Sequence, residues 1–145
     1  MQENNWDIVI TGGTLLTMSG KMEIMENSFV GIKGNSIDVV DQIKDTAKAS
    51  LPAKEKIDAS GCVVMPGLVN THTHLPMVCF RGMADDLPLM EWLTKNIWPA
   101  ETRFVNKKMV YDGATLAMAE MILSGTTTFC DGYFFEDSIA EAVSA

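Results

Sequence analysis

The stretch Met65-Pro66-Gly67-Leu68-Val69-Asn70-Thr71-His72-Thr73-His74 decides how the rest of this chain is read. Its apolar opening marks a short strand, and alternate side chains on a strand leave from the same face. A strand ending in His-x-His therefore delivers two imidazoles to one side of its C-terminal tip. Imidazole is the commonest side-chain ligand for zinc-like ions, and an α/β barrel gathers its chemistry at the C-terminal ends of its strands. His72 and His74 are the only histidines present. On spacing alone two readings stand, a metal site and a pair of polar loop caps, because a lone His-x-His recurs by chance.

Downstream of this stretch the pattern is β-loop-α-β. Residues 68–71 form an apolar strand. Residues 75–105 are interrupted by Pro76, Gly82, Pro88 and Pro99, with room for a short helix over 89–96. Residues 106–124 predict a longer helix. Met109, Val110, Gly113, Leu116, Ala117, Met121 and Ile122 recur at three- and four-residue steps as one apolar stripe. Asn106 suits its N-cap and Gly125 its C-terminal stop. Residues 126–130 predict a second strand and 136–144 a further helix. This order implies parallel strands joined by a right-handed crossover.

Upstream the chain reads as short strands and turns: residues 6–11, 14–18, 28–33 and 36–41, with brief extended pieces at 57–58 and 62–64. Gly34-Asn35 is a two-residue hairpin signal. Residues 42–56 are polar, carry Pro52, and read as a surface connection. The expectation is a small antiparallel sheet with one face covered. Two domains follow: residues 1–65 as the N-terminal part of a small β-sandwich, and 66–145 as the first βα units of a barrel.

Composition bounds the function. The 145 residues are 47% hydrophobic and 21% charged, with a net charge of −8, as in an ordinary soluble globular protein. Residues 1–65 hold 6 basic and 9 acidic side chains, and residues 66–145 hold 5 and 10. Neither half offers a basic patch, which argues against binding a phosphate backbone. No apolar run approaches the ~20 residues that span a bilayer, and Met1-Gln2-Glu3-Asn4-Asn5 lacks the character of a signal peptide. The cytoplasm is the expected location. Cys62, Cys79 and Cys130 have no CxxC spacing and read as small buried hydrophobes in a reducing compartment.

The run from Met65 to His74 resembles the first barrel strand of the metal-dependent amidohydrolase superfamily. Arg81-Gly82-Met83-Ala84-Asp85-Asp86-Leu87-Pro88-Leu89-Met90-Glu91-Trp92-Leu93, then Ile97-Trp98-Pro99-Ala100-Glu101, is similar to the branch of 5′-methylthioadenosine/S-adenosylhomocysteine deaminases and triazine chlorohydrolases. Gly125-Thr126-Thr127-Thr128-Phe129 and Tyr133-Phe134-Phe135 fit the same branch. The resemblance implies a fold in which part of a β-sandwich precedes the first two βα units of a TIM (β/α)8 barrel, a fold of about 250 residues when complete. It implies a divalent metal, zinc or iron, with His72 and His74 as ligands. It implies hydroxide attack on an electron-poor ring carbon of a purine nucleoside, with ammonia leaving, or chloride in the triazine relatives. Glu101 then takes the ribose hydroxyls, a task that suits a carboxylate accepting two charge-assisted hydrogen bonds. Trp92 and Trp98 are candidates for an aromatic wall, with Trp92 as a substrate contact.

The same resemblance places the third histidine, the metal-binding aspartate and the acid/base glutamate beyond Ala145, so no catalytic acid or base is expected within the chain. The chain is expected to be inactive alone. A complementing C-terminal chain or a homo-oligomer is an expected partner, and a noncatalytic β-domain is the rival function. Asp85-Asp86 reads as helix capping, Arg81 as a loop-holding hydrogen-bond donor, and Asp131 as a non-ligand near the barrel mouth. Thr71 and Thr73 should point away from the metal.

Overall fold

A computed structural model of the chain describes residues 6–43 and 51–145. It divides into two compact units, Met1–Pro66 and Gly67–Ala145.

The first unit is built on β1 (Trp6–Thr11), whose pattern puts Trp6 and Val9 inside. β2 (Thr14–Leu16) and β3 (Ile24–Met25) follow a turn at Gly12, then come β4 (Ser28–Lys33), β5 (Ser36–Gln42), β6 (Ala53–Asp58) and β7 (Val63–Val64). One sheet runs β5-β4-β1-β6 and a second β3-β2-β7. Trp6, Val9, Phe29 and Leu51 form a buried cluster. The Trp6 indole N–H donates to Asp38 Oδ2 at 2.8 Å, so the polar end of the ring is satisfied.

Two expectations need correction here. The sheets are mixed: β1 pairs antiparallel with β4 but parallel with β6, and β2 pairs parallel with β7. The polar run 42–56 also contains a strand, β6. It lies at the edge of its sheet and all but its first residue are exposed. Its alternating charges suit an edge, where Lys and Glu discourage pairing with another chain. Hydrophobic patterning has nothing to detect in such a strand. The expected loop character of 44–50 lies outside the described residues.

The second unit opens with β8 (Leu68–Thr73), followed by a 3₁₀ segment, Leu75–Phe80. α1 (Leu89–Trp92), a π-helical turn (Leu93–Ile97) and α2 (Trp98–Phe104) come next, then α3 (Lys107–Leu123), β9 (Thr126–Asp131) and α4 (Glu136–Ser144). β8 and β9 pair in parallel, as the β-α-β order requires. The helix expected over 89–96 is longer than anticipated, because Pro99 does not break it. Proline is tolerated in a first turn, and Pro99 stands at the start of α2 just after the π turn. Asp85-Asp86 does not cap α1. Pro88 occupies that position with no side-chain bond, and Asp86 has a left-handed φ of 63°.

α3 begins as expected, with Asn106 Oδ1 accepting from the Met109 N–H at 3.1 Å, and it stops before Gly125, whose φ is +84°. Its buried face is narrower than the apolar stripe predicted. Val110, Gly113, Ala114 and Ala117 are inside, while Leu116 and Ile122 are exposed. Small residues dominate the contact because α3 lies close against the Leu75–Phe80 segment. A Cβ added at Gly113 would stand 3.0 Å from both Cys79 Sγ and Pro76 Cα. The three cysteines are exposed free thiols rather than buried hydrophobes.

Gly113→Ala should therefore destabilise the second unit by about 1–2 kcal/mol despite alanine's better helix propensity. Backbone at Pro76 must give way for the added methyl. Chemical denaturation of the purified variant checks this, and an unchanged or raised midpoint would contradict the tight packing.

Candidate metal centre

His72 lies near the end of β8 and His74 is the first residue beyond it. His72 Nε2 and His74 Nε2 lie 3.4 Å apart, with the rings edge to face. His74 Nδ1 lies 2.6 Å from the carbonyl oxygen of Gly132, just beyond the end of β9. A carbonyl only accepts, so Nδ1 carries the proton. In the neutral ring Nε2 then presents its lone pair. The backbone N–H of His72 donates to Asn70 Oδ1 at 3.2 Å, and the neighbouring strand ends are tied again by Gly132 N–H to Thr73 O at 3.2 Å.

The spacing admits a chemical test. Two nitrogens each 2.0–2.1 Å from a tetrahedral zinc stand about 3.3–3.4 Å apart. The observed 3.4 Å matches two corners of that tetrahedron. A hydrogen bond from the second nitrogen of a ligating histidine to a backbone carbonyl is the usual device for fixing its tautomer. The imidazole pair therefore fits a zinc-class ion. Among the described residues no group of three His, Cys, Asp or Glu is placed to hold a metal.

Asp131 ends β9 in register with Thr73. Its Oδ1 accepts from the Leu75 N–H at 2.7 Å, fixing the chain just after His74, while Oδ2 is buried without a partner. Burial pushes its carboxyl above the ordinary range, and the Leu75 bond opposes that shift.

Glu101 lies on α2 and accepts from the Tyr133 hydroxyl at 2.8 Å. Burial first, and then the Glu101 carboxylate, raises the phenol's pKa well above the tyrosine range. The Tyr133 ring is 6.2 Å from that of His74, centroid to centroid, and 5.1 Å from that of Phe134. Glu101 lines a cavity of about 360 Å³ with Trp98, Thr102, Val105, Phe134 and Phe135. Trp92 lines a different cleft, with His74, Arg81 and Glu120, its indole N–H on Met83 O at 3.2 Å and its ring against the Phe80–Ile97–Ala100 cluster. Trp92 and Glu101 are thus not brought into one cavity. Arg81 pairs through both its terminal nitrogens with Glu120 of α3, at 3.0 and 2.6 Å.

Sequence reasoning gave Gly132 and Tyr133 no role. The available signal was their position, directly after a barrel-type strand whose tip faces the His-x-His strand.

Residues 63–145 match the model of the amidohydrolase family. The chain belongs to that family. It is 46% identical over its whole length to a 5-methylthioadenosine/S-adenosylhomocysteine deaminase of Syntrophobacter fumaroxidans, covering 33% of that protein. Over 112 residues, 77% of the chain, it is 54% identical to a 5′-deoxyadenosine deaminase of Methanococcus maripaludis, covering 26% of it. The crystal structure of an adenosine deaminase from Xanthomonas campestris with bound zinc superposes on 97% of the chain with a TM-score of 0.88 and 36% identity, covering 32% of that chain. The chain thus spans about a third or less of the length of these relatives. The fold is the one expected: part of a β-sandwich and the βα units of a TIM barrel. No described helix is long and apolar enough to cross a membrane.

Two substitutions separate the duties of Asp131. Asp131→Ala leaves the buried Leu75 N–H without its acceptor and should cost about 1–3 kcal/mol. Asp131→Asn keeps an acceptor and removes a charge that burial disfavours. Because the carboxyl's pKa is raised on folding, its favourable contribution is present at acid pH and lost as pH rises through the raised value. Asp131→Asn should accordingly equal or exceed the parent in stability at neutral pH, and the advantage should vanish in acid. Urea unfolding at several pH values checks both, and an Asn variant as unstable as the Ala variant would contradict the assignment.

Proposed function

We propose that this chain supplies the first metal-gripping and sugar-gripping groups of a hydrolase that removes the exocyclic amino group of an adenine nucleoside. The convergence of His72 Nε2 and His74 Nε2 at 3.4 Å carries the reading. The deaminase names of relatives 46% and 54% identical support it. The ion that His72 and His74 would hold would supply a water made nucleophilic at neutral pH, the chemistry that deamination of a ring carbon requires.

In this reading His72 and His74 hold the ion, and the Gly132 carbonyl keeps His74 in its ligating tautomer. Glu101 takes the ribose hydroxyls, and the aromatic rings beside it exclude water from the sugar. Trp98 lines the Glu101 cavity, which favours giving the aromatic contact to Trp98 over Trp92. Two imidazoles fall short of the three protein ligands of a catalytic zinc site. Turnover therefore requires ligands and proton-transfer groups in addition to those described, and imidazole suits iron as well as zinc. Triazine dechlorination draws less support, because the similar triazine hydrolase is 23% identical and that likeness concerns the fold.

Equilibrium titration of the purified chain with Zn²⁺ or Co²⁺ tests the reading. His72→Ala and His74→Ala should each weaken binding about tenfold or more. Affinity should fall as pH is lowered, since a ligating imidazole must lose its proton. Ammonia release from 5′-deoxyadenosine, 5′-methylthioadenosine and S-adenosylhomocysteine should be absent for the chain alone. Turnover by the chain, or metal affinity indifferent to both histidines, would overturn the account.

A further inference from the structure

Glu101 is held by a residue the proposed chemistry has not used. The last residue of β9 and the two that follow make three separate attachments: Asp131 Oδ1 to the Leu75 N–H, the Gly132 carbonyl to His74 Nδ1, and the Tyr133 hydroxyl to Glu101. The Tyr133 N–H donates in addition to Glu136 on α4. Phe135 closes the loop in a left-handed conformation, φ 55° and ψ 50°, which is costly for a bulky side chain and persists only where the surroundings impose it. Phe134 and Phe135 thereby present their rings to the cavity that Glu101 lines. The loop that orients the metal ligand thus also fixes the carboxylate.

We propose that Tyr133 is a positioning residue for ribose recognition, occupying Oε1 of Glu101 so that Oε2 faces the hydroxyl-bearing edge of the sugar. This rests on the adenine-nucleoside reading above. A carboxylate has lone pairs enough to take a donor from the protein and a diol from the ligand. Left alone on a helix surface it would sample several rotamers, and ordering it would weaken binding. With the phenol as donor it is ordered in advance. Ligands lacking a ribose hydroxyl lose a partner that is already aimed, so the site should discriminate ribosides from deoxyribosides more sharply than a free glutamate would.

The test measures binding of adenosine and 2′-deoxyadenosine to the Zn²⁺-loaded chain by calorimetry, in the parent, Tyr133→Phe, Glu101→Gln and the double variant. The parent should prefer adenosine. Tyr133→Phe should cut that preference about fivefold, with little change for 2′-deoxyadenosine. Glu101→Gln should abolish it, and the double variant should match Glu101→Gln, because Tyr133 acts only through Glu101. Biosynthetic 3-fluorotyrosine labels two positions, Tyr111 and Tyr133, without truncating either. The fluorine resonance of Tyr133 should move with adenosine and less with the deoxyriboside. A preference lost in Glu101→Gln but kept in Tyr133→Phe would overturn the role of Tyr133 alone. An equal weakening of both ligands by Tyr133→Phe would reduce it to a structural residue and overturn the proposal. A parent with no riboside preference would overturn the reading of Glu101 itself.

Discussion

The arrangement depends on one hydrogen bond, from His74 Nδ1–H to the carbonyl of Gly132. It joins the tip of one parallel strand to the chain leaving the next. It also settles which nitrogen of His74 faces its partner imidazole. Without it the ring could turn about its torsions or exchange its proton between nitrogens, and the second lone pair of the pair would be lost. An exposed imidazole gains little from a single hydrogen bond in stability. Its value here is geometric, in removing an alternative that metal binding would otherwise have to exclude.

That bond exists because β8 and β9 are parallel neighbours of matched length. α3 returns the chain to the right end of the sheet, and its small buried residues let it lie against the segment that leaves His74. Gly113 sets the closeness of that contact, and the Asp131 carboxylate holds the Leu75 N–H just after His74. The imidazoles are thus constrained from three directions by groups that never touch the proposed metal. An effect at the site from Gly113 or Asp131 would be an effect of backbone placement.

Much of this was legible in the residues. Period-two alternation anticipated that the rings of His72 and His74 converge, although His74 lies just past the strand, and three- and four-residue steps marked α3 with Asn106 at its start. The exceptions have particular causes. β6 is a polar edge strand, so no apolar period announced it. Parallel pairing of β1 with β6 joins residues more than forty positions apart in sequence, and local patterns carry no such information. Pro99 looked like a break because a proline in a helix's first turn and a proline that ends one are spelled alike. Tyr133 enters the sequence reading only as part of the Tyr133-Phe134-Phe135 likeness and Gly132 not at all, because a loop carbonyl and a lone phenol acquire a role only when another strand is beside them. The likeness to the deaminases supplied Glu101, and the Tyr133 contact gives that glutamate a physical reason for its orientation.

Long-range proton–nitrogen NMR of the imidazole side chains addresses the founding interaction most directly, and two histidines make the assignment simple. The account predicts that metal-free His74 is the Nδ1–H tautomer, and that zinc shifts the Nε2 resonances of both rings while His74 Nδ1 keeps its proton. A His74 protonated on Nε2 in the metal-free chain, or zinc coordinated through Nδ1, would contradict it.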